Sequence, residues 1–318
     1  MLGSLKWRAA AEGDVTLPCP ADIGQSPRAI WRVYETGRGP YGNQSTHSKR
    51  KTNMLSMLTM IQGSEEDVGL LKSALAVQRA LDGELLVACP AVETIQFAGE
   101  ALAAAAVYDE IASAEAAARA RKAFDTVCLD PNLHRFKATR HGTMETLRKQ
   151  SLFVDLFVLA RDSATTDLDR GLLTDALVEH KTPTLLLPKM VGGDFPSTVV
   201  ISWNGQGQTA RAIKAAIPLL RKASRVVVLE HTGNEVNRSR LEHFLQIEGV
   251  KAAQWRDYGD ASLTARGRAR ALLKEAYAEG CDLLVMGAYG YMEDGVFSFG
   301  RTTDKVASAS EVPVLFCA

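Results

Sequence analysis

The chain has 318 residues, with 37 Lys+Arg against 37 Asp+Glu, 46% hydrophobic and 23% charged residues. This is the composition of an ordinary globular protein of about two domains. A formal net charge of zero gives no global field to hold nucleic acid or an acidic membrane surface, and no uncharged apolar run approaches the roughly 18 residues that a membrane span needs.

The N-terminus lacks the continuous apolar core of a secretory signal. Cys19, Cys89, Cys128, Cys281 and Cys317 are odd in number and form no CxxC pair, which argues against a zinc site or a disulfide framework. The expected compartment is a reducing cytoplasm.

Residues 1–53 carry Pro18, Pro20, Pro27 and Pro40 among many glycines and end in the basic cluster Lys49-Arg50-Lys51. They read as a poorly ordered extension, with one short apolar stretch around Arg28–Glu35 able to form a helix. From residue 54 the pattern becomes regular. Met54–Ile61 predicts a strand, and Glu65–Leu81 a helix, on the spacing of Val68, Leu71, Leu75 and Leu81. A strand at Glu84–Ala88, a long helical stretch at Val92–Phe124 and a strand at Leu133–Thr139 follow. Thr143–Leu152 predicts a helix with Thr143 as its cap. Strand Asp155–Ala160, helix Asp169–Glu179 and strand Pro183–Leu187 complete the set.

After the break Gly192-Gly-Asp-Phe-Pro196 the same order returns. Strands are expected at Thr198–Trp203, Arg225–Glu230, Ala252–Trp255, Asp282–Gly287 and Pro313–Cys317, with helices at Gln208–Leu220, Asn237–Ile247, Leu263–Ala278 and Thr302–Ala309. Asp155-Leu-Phe-Val-Leu-Ala echoes Asp282-Leu-Leu-Val-Met-Gly, and Thr182-Pro-Thr-Leu-Leu echoes Val312-Pro-Val-Leu-Phe. The chain therefore reads as an internal duplication, with domains at 54–191 and 197–318. Alternating strands and helices imply α/β layers with parallel strands and right-handed crossovers. The fold class is two tandem doubly wound five-stranded sheets. Ligands in such sheets bind beyond the carboxyl ends of the strands, where the strand order reverses.

The loop after the fourth strand of the second half carries the chemistry. Gly287 and Gly290 sit at the strand end, and Gly300 precedes Arg301-Thr302-Thr303 at a helix start. Glycine lets backbone and ligand approach closely. The helix start offers unpaired N–H groups and a positive dipole end, and Arg301 adds a charge; together they suit an anion such as a phosphate.

The spacing Gly287-x2-Gly290-x9-Gly300 resembles the nucleotide motif of the universal stress protein family, as do Asp282-Leu-Leu-Val-Met-Gly-Ala-Tyr-Gly, Val312-Pro-Val-Leu-Phe and Val199-Val-Ile-Ser-Trp-Asn-Gly. The resemblance covers residues 54–318, specific in the second half and topological in the first. It implies a five-stranded parallel sheet in each half, a stress-response role, and in some members bound ATP. It places Gly287, Gly290, Gly300, Arg301 and Thr302 around the phosphates of ATP or another adenine nucleotide, with Mg²⁺, and Asn204 and Gly205 near adenine. Arg301 stands where the family has Ser or Thr, Tyr291 where many relatives have a small or polar residue, and Asn204 where nucleotide-binding members carry an aspartate. The first half has Ala160-Arg-Asp-Ser-Ala-Thr-Thr in place of the glycines, so no nucleotide is expected there. The family also pairs domains through the last strand. This implies a homodimer, or an intrachain pseudo-dimer through Pro183–Leu187 and Pro313–Cys317.

Two other readings stay open. One is an interaction or assembly module of the same fold without nucleotide. The other is an NAD-dependent enzyme, because Gly205-Gln-Gly207-Gln-Thr-Ala210 reads GxGxxA after a strand and Glu230 ends the next strand. No HExxH, no Gly-x-Ser-x-Gly elbow and no Walker lysine is present. No catalytic residue or metal ligand is assigned, and slow ATP hydrolysis is the most that is expected. His231, at the end of the second strand, could face a bound nucleotide but reads rather as a solvated strand-end histidine. Arg266, Arg268 and Arg270 read as a solvated helix face. Glu293-Asp294 reads as a solvated loop.

Overall fold

The computed structural model describes residues 55–92, 101–161, 167–188, 191, 192, 194–231, 237–259, 262–293 and 296–318. The extension at 1–53, including Cys19 and the stretch around Arg28–Glu35, lies outside them, as does Asp294.

In the first half, strands β1 (Ser56–Met60), β2 (Glu84–Cys89), β3 (His134–Ala138), β4 (Leu156–Ala160) and β5 (Thr184–Leu187) alternate with helices α1 (Asp67–Leu81), α2 (Ala101–Val127), α3 (Thr143–Gln150) and α4 (Asp167–Thr174). The second half has β6 (Thr198–Trp203), α5 (Gly207–Lys222), β7 (Arg225–His231), α6 (Arg238–Ile247), β8 (Gln254–Tyr258), α7 (Ala265–Ala278) and β9 (Leu283–Gly287). A hairpin of β10 (Gly290–Glu293) and β11 (Val296–Phe299) follows, then α8 (Arg301–Ala309) and β12 (Val314–Cys317).

Ten strands form one sheet in the order β3-β2-β1-β4-β5-β12-β9-β6-β7-β8. Each half repeats the same order about its own first strand, with all pairings parallel. The halves join by the antiparallel pair β5–β12, where Leu185 faces Leu315. The two last strands thus pair within the chain. Polarity sorts the strands. β4 (LFVLA), β5 (TLLL), β9 (LLVMG) and β12 (VLFC) are apolar and central, while HRFKA and QWRDY, with their exposed charged residues, occupy the two outer edges. That strand runs on to Tyr258, past the Trp255 at which the apolar stretch ends, because backbone pairing with β7 continues through charged Arg256 and Asp257, which give no apolar signal.

The duplication extends to a shared anchor. Asp155 accepts the Ser56 amide at 2.7 Å, and Asp282 accepts the Ser197 and Thr198 amides at 2.6 and 3.0 Å. Each carboxylate precedes the fourth strand of its half and ties down the start of the first. Burial pushes the Asp282 carboxyl above the usual carboxylate range, with the backbone amides pulling it back.

The core is two layers, one on each face of the sheet, and each layer runs through both halves. α1, α5 and the described part of α2 bury Leu71, Ile213 and Phe124 on one face; α4, α7 and α8 bury Leu172, Leu272 and Val306 on the other. Two local expectations are corrected. Thr143 does not cap α3: the cap position is Gly142 and makes no side-chain bond, so the helix starts one residue earlier than a threonine cap would place it. The loop between Gly290 and Gly300 contains the β10–β11 hairpin, with Gly290 opposite Phe299.

Candidate functional site

The chain leaves β6 to build β7 and β8, then returns across to β9 on the other side of β6. The crossovers diverge at the carboxyl ends of β6 and β9, and a gap opens there. A cleft of about 460 Å³ occupies this point, within the usual range for a small-molecule site. Ser202 and Asn204 line it from the end of β6, His231 and Tyr258 from β7 and β8, Met286 and Gly287 from β9. Arg268 reaches it from α7, and Gly300, Arg301, Thr302 and Thr303 form its wall at the start of α8.

Five of the seven predicted residues, Asn204, Gly287, Gly300, Arg301 and Thr302, therefore meet at one cleft. Gly205 and Gly290 are not in its lining. Gly205 makes the turn out of β6 at φ 72°, a conformation glycine adopts without strain. Gly290 is exposed at the base of the hairpin.

Gly287 is required for space rather than for a turn. It is the last residue of β9, and a Cβ there would stand 2.7 Å from the Thr209 amide nitrogen and 2.8 Å from the Gln208 Cβ. The glycine lets the first turn of α5 lie directly on the strand end. Gly300 is less crowded: its Cβ would lie 3.4 Å from the Tyr289 carbonyl oxygen. Its amide donates to that carbonyl at 2.7 Å, closing the hairpin onto β9's exit.

α8 begins without a side-chain cap. Its first intrahelical bond runs from the Asp304 amide to the Gly300 carbonyl at 3.0 Å. The amides of Arg301, Thr302 and Thr303 have no helical acceptor and stand at the positive end of the helix. The threonine hydroxyls are engaged in the scaffold. Thr302 donates to the Ala265 carbonyl at 3.1 Å, and Thr303 accepts the Tyr289 amide at 3.1 Å.

Asn204 is held in a closed network. Its Nδ2 donates to the Tyr289 hydroxyl at 2.8 Å, and its Oδ1 accepts from Thr209 Oγ1 at 2.8 Å and from the Gln206 amide at 3.2 Å. The Thr209 and Tyr289 hydroxyls lie 3.0 Å apart. The amide that would read a base edge is thus partnered inside the protein. Tyr291 turns outward, 53% exposed, and does not fill the cleft.

Sequence reasoning missed Ser202, Tyr258 and Tyr289 and read Arg268 and His231 as solvated. Arg268 is half-buried, unlike exposed Arg266 and Arg270, because it lies on the inner side of α7 next to buried Ala269 and Leu272. That apolar face was the signal that could have separated it from its neighbours. His231 is half-buried at the cleft, and its Nε2 is buried without a hydrogen-bond partner. Burial pushes the Tyr258 phenol up, against a hydrogen bond from Ser202 and the Arg268 charge. Glu230, next in the strand, is 2% exposed and does not line the cleft.

The first half has its counterpart, a gap of about 380 Å³ beyond β1 and β4, lined by Glu65, Glu66, Asp67 and Arg161. Asp67 is buried and accepts the Gly63 amide at 2.8 Å and Ser64 Oγ at 2.9 Å. Arg161 donates to the Ser310 carbonyl. No group of three or more His, Cys, Asp or Glu side chains among the described residues is gathered as a metal site. No described helix is long and apolar enough to cross a membrane.

This arrangement defines a tandem α/β protein of the universal stress protein fold. A universal stress protein from Archaeoglobus fulgidus superposes with a TM-score of 0.59 at 16% identity, covering 82% of this chain and 97% of its own. A protein of unknown function from Pseudomonas aeruginosa superposes with a TM-score of 0.50 at 15% identity, covering 83% and 92%. At such identities the similarity is one of fold. No protein-family model matches the chain, and no curated protein does.

Proposed function

We propose that the protein acts as a universal stress protein that binds ATP or another adenine nucleotide in the cleft of its second half. The observation that carries this reading is the lining: Arg268, Arg301 and the uncapped first turn of α8 converge on a single gap at the strand-order reversal. Cations and free N–H groups suit the oxygens of a phosphate chain. Residues 54–191 and 197–318 are taken as two copies of one domain, of which the second keeps the glycine loop. The first-half gap carries Glu65, Glu66 and Asp67, and carboxylates repel phosphate, so the nucleotide is assigned to the second half alone. Mg²⁺ enters on the phosphates.

Isothermal titration of the full chain with ATP tests the reading. Saturable heat is expected. Its absence from a folded sample at high concentration removes the nucleotide. A second reading, an interaction module without nucleotide, is favoured by the closed Asn204–Thr209–Tyr289 network, which engages the Asn204 amide at both its nitrogen and its oxygen. The NAD reading has less support: Glu230, the acid that would hold ribose hydroxyls, is buried outside the cleft.

A further inference from the structure

We propose that the exposed apolar pair Leu152-Phe153 is the docking surface for the chain's own N-terminal segment, with Ile30, Trp31, Val33 and Tyr34 as the side chains that cover it. The proposal does not depend on a ligand in either half.

Leu152 is 66% and Phe153 91% exposed. Tyr108, Leu129 and Ile247 are exposed singly, which is ordinary for a protein surface. Leu152 and Phe153 are adjacent, in the short turn Ser151–Phe153 between α3 and β4, and belong to neither core layer. The duplication shows that the turn itself does not need them. Asp155 and Asp282 hold the same place in their halves, so Leu152 and Phe153 correspond to Glu279 and Gly280. Glu279 pairs with Arg225 and Arg256 at 2.7 and 3.4 Å, and Gly280 turns the chain at φ 68°. The second half thus closes this turn with polar groups, where the first half presents a bare apolar pair.

The point at which the preceding chain enters selects the occupant. The described fold begins at Leu55, and Ser56 Oγ donates to the Phe153 carbonyl at 2.9 Å. Residues 1–54, which lie outside the described residues, therefore join the fold directly beside the pair. Within them, the spacing of Ile30, Trp31, Val33 and Tyr34 would bring all four to one side of a helical turn. About 20 residues separate Tyr34 from Leu55, and at roughly 3.3 Å each they are long enough to return to the entry point. A tether of this length holds the segment at high local concentration, so a small contact suffices. A second copy of the chain is the poorer occupant, because two side chains offer far less than the roughly 800 Å² per partner of a stable dimer. The pair precedes β4 and so stands at the amino ends of the strands. Both clefts lie at the carboxyl ends, and docking leaves them open.

The test uses the full-length protein with the photoreactive analogue p-benzoylphenylalanine in place of Phe153, and mass spectrometry of the adducts. The expected product is a cross-link within one chain to the peptide that carries residues 28–35. Cross-links to a second copy, to other parts of the chain only, or none at all overturn the proposal. Hydrogen exchange of wild type, of the double variant Leu152→Ser/Phe153→Ser and of Trp31→Ser gives the independent check. Amides at 28–35 are expected to exchange roughly tenfold faster in the double variant than in wild type, the scale of exposing one large apolar side chain. Amides at 151–154 are expected to exchange faster in Trp31→Ser. Exchange at 28–35 that is the same in the double variant as in wild type overturns the proposal.

Discussion

The Tyr289 hydroxyl sits 2.8 Å from the Asn204 side-chain nitrogen and engages one of the two N–H donors of the side-chain amide at the cleft. Tyr289→Phe keeps the ring and removes that hydroxyl. The expected outcome is a loss of about 1 kcal/mol of stability, the net worth of a typical hydrogen bond, together with greater discrimination of ATP from GTP as Asn204 is released. Denaturant unfolding and parallel titrations check both parts.

Gly287 and Gly300 belong to the same motif, but the fold demands only the first. Gly287→Ala forces a methyl group against the backbone of α5 and is expected to cost about 1–3 kcal/mol, as overpacking does. Gly300→Ala meets its nearest neighbour at 3.4 Å and is expected to cost clearly less. Chemical denaturation of the two variants gives the ranking directly.

Arg268 and Arg301 approach the cleft from different helices. Replacing either by alanine is expected to weaken ATP binding by roughly tenfold, the scale of one charge-assisted hydrogen bond. Arg221→Ala, on a remote pair with Glu248, is expected to leave affinity unchanged. Wild-type affinity should fall with added salt, and less steeply in each cleft variant, because screening acts on the same charges.

Cys89, Cys128, Cys281 and Cys317 are buried free thiols, each pushed up to about 12 by burial. A thiol raised in the folded state favours folding while it stays protonated. That stability is complete below about pH 9, the ordinary thiol value, and is lost as pH climbs from there through about 12. Unfolding midpoints are therefore expected to drop above pH 9. At pH 8 a thiol reagent should modify these four only after denaturation, as mass spectrometry of alkylated peptides would register.

The sequence determined the order of elements, because apolar runs and 3.6-residue spacing are local signals. Leu71 and Leu75 announce α1, and the matched Asp155 and Asp282 segments announce the repeat. The hairpin was legible too, in Asp294-Gly295 between the apolar-rich stretches Gly290–Glu293 and Val296–Phe299, a standard tight-turn signal; reading the segment as a ligand loop obscured it. The seam between Leu185 and Leu315 was expected from family resemblance, but the antiparallel pairing and register are facts of three-dimensional contact.

For the site, one dimension supplied the residues of a single loop and, through family resemblance, Asn204. Gly287, Gly300, Arg301 and Thr302 are close in sequence, so a spacing rule finds them. Ser202, His231, Tyr258 and Arg268 come from four separate elements, and no local pattern links them. Whether a strand-end histidine meets water or a cleft depends on which helices cover that face, and whether Asn204 is free depends on a tyrosine 85 positions away. Packing across the sheet set those neighbours, because burial and hydrogen-bond partnership depend on distance through space rather than along the chain.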